Sequence, residues 1–412
     1  MSEDVLTWSA REAASVAAPL PRAPRRARGW RPRQAPRPPG GWQLDWLDSI
    51  HHVDAATWDA LVGDGAITRS HAYLAAIEDA GLPGGRRFYA VLRDERGIVA
   101  HACVYLVETD FAQLMPRWIQ ALAGGVRRAW PRFLRARITE CASPLTAGSS
   151  ISLREGACLR TVVEHLERGL ATLAAREGSG LIVLRDFPAD DSAATDTLCR
   201  RGFKRVANLP LARIRVRWST YDEYLAALRS RYRKDLRRRL RRAEQSGRRV
   251  VTLDDFGADA ARWAAQVDAV YDAAPGFKRE RLGPAYYATL NRLPGEASRL
   301  VVVEQDGHCL AHGMVLVDAE NTTATFFGRE PGAPAGEWFQ LADAVIRIAI
   351  ERGSRYVNFG LGAYDAKSLV GAESVPLVVY TRATNRLLNA VIRLVPDLMR
   401  HEPGCRRHVF RD

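Results

Sequence analysis

The sequence is short of cysteine and lysine, and it has no long apolar run. Its six cysteines, Cys103, Cys141, Cys158, Cys199, Cys309 and Cys405, stand far apart. None makes a CxxC or a Cys/His pair at metal-ligand spacing, so the sequence offers no ground for a zinc site or a disulfide framework. A reduced, cytoplasmic chain without a metal is expected. No stretch of about 18 apolar residues occurs, so no membrane-spanning helix is expected. The opening MSEDVLTWSA is acidic and lacks the apolar core of a secretory signal. His51, His52, His401 and His408 have no metal spacing, and no Ser/His/Asp or Cys/His set suggests an enzyme nucleophile.

What is present is basic, apolar and long enough for two domains. The 412 residues are 47% hydrophobic and 26% charged, a globular composition. The net charge of +13 is local. Residues 1–42 carry +5 and residues 229–249 carry +9, which leaves the remainder near neutral. Basicity confined in this way points to specific anionic contacts more than to general nucleic-acid affinity. Residues 18–42, APLPRAPRRARGWRPRQAPRPPGGW, are rich in Pro and Arg and predict a disordered or polyproline-like tail.

Two comparisons within the chain indicate an internal repeat. RDERGIVAHACVYLV (residues 93–107) resembles EQDGHCLAHGMVLV (304–317), each a turn with Gly followed by an alternating strand. LATLAAREGSGLIVLRDF (170–187) resembles VIRIAIERGSRYVNFGL (345–361), each an amphipathic helix, a Gly stop and a strand. The offsets are 211 and 175 residues, which implies an insertion in the first half, about residues 111–147. The pattern predicts a mixed α/β (α+β) fold. The expected division is a tail at 1–42, a first lobe at 43–216, a second lobe at 217–400 and a C-terminal tail at 401–412.

The most lopsided stretch is RSRYRKDLRRRLRRAEQSGRR, residues 229–249. Leu225, Leu228, Tyr232, Leu236, Leu240 and Ala243 fall three and four apart and predict one amphipathic helix docked on a core. Ser219 or Thr220 would cap it and Gly247 would stop it. Its charged faces suit a solvated surface, a phosphate or nucleotide site, a membrane surface or a nucleic acid. Arg233, Lys234, Arg237 and Arg238 are the residues expected to bind an anionic substrate. QLMPRWIQALAGGVRRAWPRFLRARI (113–138) mixes Trp118, Trp130 and Phe133 with six Arg. It reads as a surface helical pair, a cover over an acceptor cleft or a membrane contact.

Three stretches resemble the Fem-like, or cellulose-biosynthesis-protein-like, branch of the GNAT acyltransferases, in which two GNAT-type halves occur in one chain. SRYRKDLRRRLRRAEQSGRR resembles the basic helix that opens the second half. GEWFQLADAVIRIAIERGSRYVNFGLGAYDAKSLVGA resembles its long helix, its G-x-R-x-x-x-F-G strand and a Tyr-x-x-Lys followed by Gly. CASPLTAGSS resembles a Ser-Pro-x-x-Gly-Gly loop of the first half. The resemblance covers about residues 45–400. It implies tandem GNAT-like lobes, each a splayed mixed sheet flanked by helices, and transfer of an acyl group to an amine of a small metabolite or cell-envelope precursor. The donor it implies is acyl-CoA, acetyl-CoA first, or aminoacyl-tRNA as in the Fem enzymes. The first lobe would be degenerate and line the acceptor cleft, and the second would hold the donor. The chain departs from the pattern at REPGAPAGEW (329–338), which gives Arg-x-x-Gly-x-Pro where single-domain GNAT enzymes have Arg/Gln-x-x-Gly-x-Gly/Ala. Pro334 has no N–H to offer a phosphate.

Acyl transfer to an amine needs a base for the amine, a stabiliser for the oxyanion and a proton for the leaving group. Lys367 matches the family lysine and would neutralise phosphate or oxyanion charge. Tyr364 would protonate the leaving group. Asp365 and Glu337 are the nearest carboxylates for a base. Arg329, Gly332, Ala335 and Gly336 would face the donor's phosphates near a helix N-terminus. His312 and its repeat copy His101 are better explained by packing in two similar sheets than by two active sites. The expected location is cytoplasmic, with peripheral contact to the inner face of a membrane as an option and tRNA as a less favoured partner. A rival of another class is a non-catalytic nucleic-acid or anionic-membrane binder that keeps the GNAT-like shell.

Overall fold

The structure, a computed structural model, describes residues 41–82, 85–114, 117–273, 281–333, 336–394 and 404–411. The Pro/Arg-rich stretch up to residue 40 lies outside these, as does Ala335. All described residues belong to one compact unit, residues 35–412.

Fifteen strands form two sheets among the described residues. The first holds β1 (Gln43–Leu47), β2 (Arg87–Asp94), β3 (Gly97–Asp110), β4 (Arg135–Cys141), β5 (Ile151–Leu153), β6 (Leu181–Pro188) and β7 (Lys204–Ala207). The second holds β8 (Leu211–Arg215), β9 (Arg248–Leu253), β10 (Ser298–Gln305), β11 (His308–Val317), β12 (Asn321–Arg329), β13 (Tyr356–Asn358) and β14 (Glu373–Val375). The last strand, β15 (Leu377–Ala383), returns to the first sheet between β6 and β7. The strand orders β1-β2-β3-β4-β6-β15-β7 and β9-β10-β11-β12-β13-β8-β14 then match place for place. In the matching place β8 serves the second sheet and β15 the first, so the two halves exchange a strand.

The hairpins repeat in register as well as in sequence. Val91 faces His101 across β2 and β3, and Val302 faces His312 across β10 and β11, each 211 residues on. Alternation gives each strand two buried faces. Tyr89 and Val91 enter a central core, and Phe88, Ala90 and Leu92 an outer one. Their counterparts Leu300 and Val302 share the central core, and Val301 and Val303 enter the second outer core. At about 1.5–3 kcal/mol for each fully buried aliphatic side chain, this double-sided burial dominates the stability of the hairpins.

Helices α1 (Ala55–Asp59), α2 (His71–Asp79) and α3 (Arg117–Val126) precede α4 (Leu159–Glu177). The expected face of α4, with Val162, Val163, Leu166, Leu170 and Leu173, is buried on the first sheet, and Gly178 ends the helix at φ 66°. After α5 (Ser192–Thr195) and α6 (Thr197–Arg200) come α7 (Tyr221–Ala227) and α8 (Ser230–Gln245). The remaining helices are α9 (Ala260–Ala273), α10 (Pro284–Leu290), α11 (Glu337–Glu351), α12 (Tyr364–Leu369) and α13 (Arg386–Leu394).

Two elements differ from expectation. The described residues of 113–138 hold one α-helix, α3, then turns and the start of β4, and not a helical pair. The predicted single basic helix is two helices. Thr220 caps only α7, by accepting from the Glu223 N–H. At Leu228 the backbone turns extended, with ψ 137°, and bridges to Phe410. The C-terminal segment supplies the hydrogen bonds that the helix gives up. Arg229 N donates to Val409 O at 2.8 Å, and Arg411 N to Ala227 O at 2.9 Å. The apolar stripe still docks, with Leu225, Leu228, Leu236 and Ala243 all buried.

Candidate functional site

The site begins where two parallel strands part. β12 and β13 pair over only three positions, from Asn321↔Tyr356 to Thr323↔Asn358, and then diverge. α11 connects them, and its first turn follows the loop from Arg329. Gly332 at φ 80° and Gly336 at φ 117° take conformations that disfavour a side chain. Glu337, the first residue of α11, is 2% exposed. Its carboxylate lies 3.4 Å from Arg329 Nε and 3.6 Å from Arg248 Nη1. A carboxylate at a helix N-terminus is favoured by the dipole. Here its charge is shared between two guanidiniums, so Glu337 ties the two ends of the loop to β9.

α12 carries the Tyr-x-x-Lys sequence. It is preceded by three left-handed residues, Gly360, Gly362 and Ala363. Tyr364 and Lys367 are 5% and 6% exposed. The Tyr364 hydroxyl donates to Pro210 O at 2.7 Å, and Lys367 Nζ donates to Leu361 O at 2.9 Å. Lys367 thus closes the glycine-rich turn on itself. Asp365 points away into solvent, 3.8 Å from Arg407.

α8 lines a groove of about 520 Å³ beside α12. Arg231, Lys234, Arg238 and Arg239 border it from α8, Leu369 from α12 and Arg407 from the C-terminal segment. Asp235 is the acidic residue on its wall and pairs with Arg238 and Arg239. Arg239 also stacks over Phe339 of α11, 4.3 Å from the ring centre, which links the groove to the helix that opens at Glu337. Of the expected anion-binding residues, Lys234 and Arg238 face this groove. Arg233 turns back and donates to the carbonyls of Leu225, Ala226 and Leu228 at 3.3–3.5 Å, so it caps α7. Arg237 is exposed on the same helix, outside the groove lining.

The first half contains the equivalent divergence and a polar cluster that sequence reasoning missed. β4 and β6 pair in parallel from Ile138↔Leu181 to Cys141↔Leu184 and then separate. Glu140, inside that pairing, and Asp186, just past it, are 3% and 1% exposed. Arg185 Nε lies 3.0 Å from Glu140, and the Tyr105 hydroxyl donates to Glu140 at 3.1 Å. Asp186 has φ 66° and accepts from Asn208 and from Gly148 N, the latter in the CASPLTAGSS loop. Burial pushes its carboxyl above the usual range, against the pull of Arg185. The available signal was the charged Arg-Asp pair inside the apolar run LIVLRDF.

The paired histidines are packed, as the repeat suggests. His101 stacks on Trp58 with ring centres 3.6 Å apart and contacts Trp58 O. His312 is bonded by Tyr287 Oη at 2.9 Å and Gln266 Oε1 at 2.8 Å. Burial lowers both to about 3. Among the described residues, no three His, Cys, Asp or Glu side chains converge as metal ligands, and no helix is long and apolar enough to cross a membrane.

A family model described as peptidoglycan biosynthesis/recognition matches residues 49–385. The chain belongs to the FemAB-like family. Solved structures share the architecture of this FemAB-like chain at low identity. FemX aligns with TM-score 0.53 and 11% identity, over 85% of this chain and all of that one. The C-terminal domain of a protein assigned as a lysylphosphatidylglycerol synthetase, from Agrobacterium fabrum, aligns with TM-score 0.51 and 14% identity, over 84% of this chain and 95% of that one. The fold is a tandem of two GNAT-like units, each a mixed sheet flanked by helices. A Mycobacterium tuberculosis protein that carries the provisional name 8-amino-7-oxononanoate synthase 2 is 26% identical over 323 residues, 75% of this chain. The FemAB-like chain spans only 41% of that relative's length.

Proposed function

We propose that the protein transfers an acyl group from a phosphate-bearing carrier to an amine of a small metabolite or cell-envelope precursor. An acyl-CoA is the proposed donor. The observation that carries this reading is the basic groove of α8, which borders the helix holding Tyr364 and Lys367 and is linked through Arg239 to α11. Arginine forks and a lysine ammonium suit the phosphates of the carrier. The family's description supports an envelope precursor as the acceptor.

In this reading the acceptor nitrogen forms a bond to the acyl carbon and the carbon–sulfur bond of the thioester breaks. One proton leaves the amine and one reaches the departing thiolate. Lys367 supplies positive charge to the developing oxyanion and Tyr364 supplies the leaving-group proton, each after releasing its backbone carbonyl. Asp365, exposed beside Arg407, takes the amine proton, and Glu337 stays engaged with Arg248 and Arg329. The loop residues Arg329, Gly332 and Gly336 contact the donor where β12 and β13 part, and Ala335 is assigned there from sequence alone.

A second reading, with aminoacyl-tRNA as the donor, is favoured by one feature. The basic face of α8 continues past the groove through exposed Arg237, Arg241 and Arg242, farther than one CoA would need. Thermal unfolding with acetyl-CoA, longer acyl-CoAs and aminoacyl-tRNA separates the donors. A true donor at a hundredfold excess over its Kd adds about 2.7 kcal/mol. Stabilisation by tRNA and not by any acyl-CoA transfers the proposal to the second reading. Stabilisation by neither, beyond what inorganic phosphate gives, removes it.

A further inference from the structure

The large exposed apolar side chains are concentrated in two segments of the described structure. Trp118, Leu122 and Trp130 lie on α3 and the turn after it, and Leu387, Leu388, Val391 and Leu394 on α13. Leu387 and Leu394 are 81% and 84% exposed. On α13 the inner side is fixed: Asn389 donates to Gly202 O and accepts from Ala383 N, and Ile392 packs on the central core. Leu387, Val391 and Leu394, spaced at i, i+4 and i+7, form the stripe left facing out.

Both segments leave the same end of the first sheet. α3 follows the last residue of β3, Asp110, which pairs with Arg135 at the start of β4. β4 pairs with the start of β6 at Ile138↔Leu181, and Leu181 pairs in turn with Ala383 at the end of β15. Gly180 N donates to Arg137 O at 2.8 Å, and Thr384 Oγ1 to Ser179 O at 2.9 Å. α13 begins two residues after Thr384.

The charge around these apolar groups has one sign. Residues 111–138 contain six Arg and no acid, and residues 384–394 contain two Arg and no acid. Arg128, Arg132, Arg386 and Arg393 are exposed. The nearby Asp110 is held by Arg127 and Arg135, and Glu108 by Arg137. A second copy docked by a two-fold contact would bring like charges together. An anionic lipid surface complements them, and short helices with Trp and Leu on one side and Arg beside them settle at its headgroup layer. At 10 and 9 residues, α3 and α13 are each about 15 Å long, enough to lie in that layer and too short to cross it.

We propose that this end of the first sheet docks on an anionic lipid surface through Trp118, Leu122 and Trp130 together with Leu387, Val391 and Leu394. The assignment is independent of donor and acceptor identity. It is tested by co-sedimenting the full chain with vesicles of equimolar phosphatidylglycerol and phosphatidylcholine. W118S/L122S and L387S/V391S/L394S are each expected to weaken binding by at least about tenfold with the unfolding midpoint unchanged. Lipids brominated in the upper acyl chain are expected to quench part of the tryptophan fluorescence, and W118F/W130F to lose that quenching while still binding. Three results overturn the proposal. The first is absence of vesicle binding. The second is binding that survives the apolar substitutions and is lost in R237E/R241E, which would assign it to α8. The third is a solution dimer that the apolar substitutions convert to monomer.

Discussion

The ring of Phe410 rests on Gly371 so closely that a Cβ built at residue 371 would lie 2.3 Å from its Cζ. The same ring lies 4.9 Å from Trp218, and the backbone of Phe410 bridges to Leu228 at the break between α7 and α8. The glycine after the Tyr-x-x-Lys sequence is therefore the seat for the end of the chain, and that end carries Arg407 to the groove. Gly371 has φ 96°, so a side chain there meets strain as well as a clash. Gly371→Ala is expected to destabilise the protein by about 2–4 kcal/mol, measured as a lower urea midpoint. Donor KM should rise with it, because Arg407 moves when Phe410 is displaced. An unchanged midpoint would mean that Phe410 is not held there in solution.

Lys367 is the sharpest test of the chemistry. Lys367→Ala is expected to lower kcat by about 10²-fold or more, the usual cost of losing a group that stabilises an oxyanion. Lys367→Arg keeps the charge but not the compact ammonium, and should restore only part of the rate. If the lysine only closes the turn at Leu361, the Ala variant will lower the melting temperature and leave kcat intact. Full turnover in Lys367→Ala removes the residue from the mechanism.

The two roles found on α8 separate cleanly. Arg238→Glu combined with Arg407→Glu is expected to raise donor KM by tenfold or more, roughly 1.4 kcal/mol, and to flatten its dependence on salt. Arg233→Ala should leave donor KM near its original value and cost about 1 kcal/mol of stability, since its guanidinium serves the last carbonyls of α7. Titrations at two salt concentrations beside urea unfolding of the same variants check both statements. A KM effect of equal size from Arg233→Ala would refute the division.

Much of the fold was legible because burial follows periodicity. The hairpin offset of 211 residues reappears as identical register, and the α4 face and the Leu/Tyr stripe of α7 and α8 were readable from spacing. The break at Leu228 was not, because it is made by hydrogen bonds to residues 409–411, remote in sequence. The strand exchange is equally non-local: the apolar alternation of LARIR and LVVYTRA shows a strand and says nothing about which sheet it joins. In the site, composition marked α8 as basic but could not tell Arg233, turned onto α7, from Arg238, turned onto the groove. Asp186 was hidden because its meaning depends on Gly148 and Asn208, which only the fold brings to it.

His101 and His312 provide a test of the packed cores by pH. Burial holds both folded imidazoles near 3, while an exposed histidine titrates near 6.5. Above the unfolded value both are neutral in either state and add no pH dependence. As pH falls below it, the unfolded chain binds protons that the folded core refuses. Stability then drops by up to about 1.4 kcal/mol per pH unit for each histidine. Asp186 acts in the opposite sense: burial raises its carboxyl, so the folded state takes a proton first, beginning above the ordinary carboxylate range. Urea unfolding of His variants beside the parent between about pH 7 and pH 5 isolates the histidines, because Asp186 is common to both. His312→Gln should remove about half of the histidine share of the slope in that window, and the double variant should remove nearly all of that share. A slope unchanged in the double variant would place the acid sensitivity elsewhere in the chain.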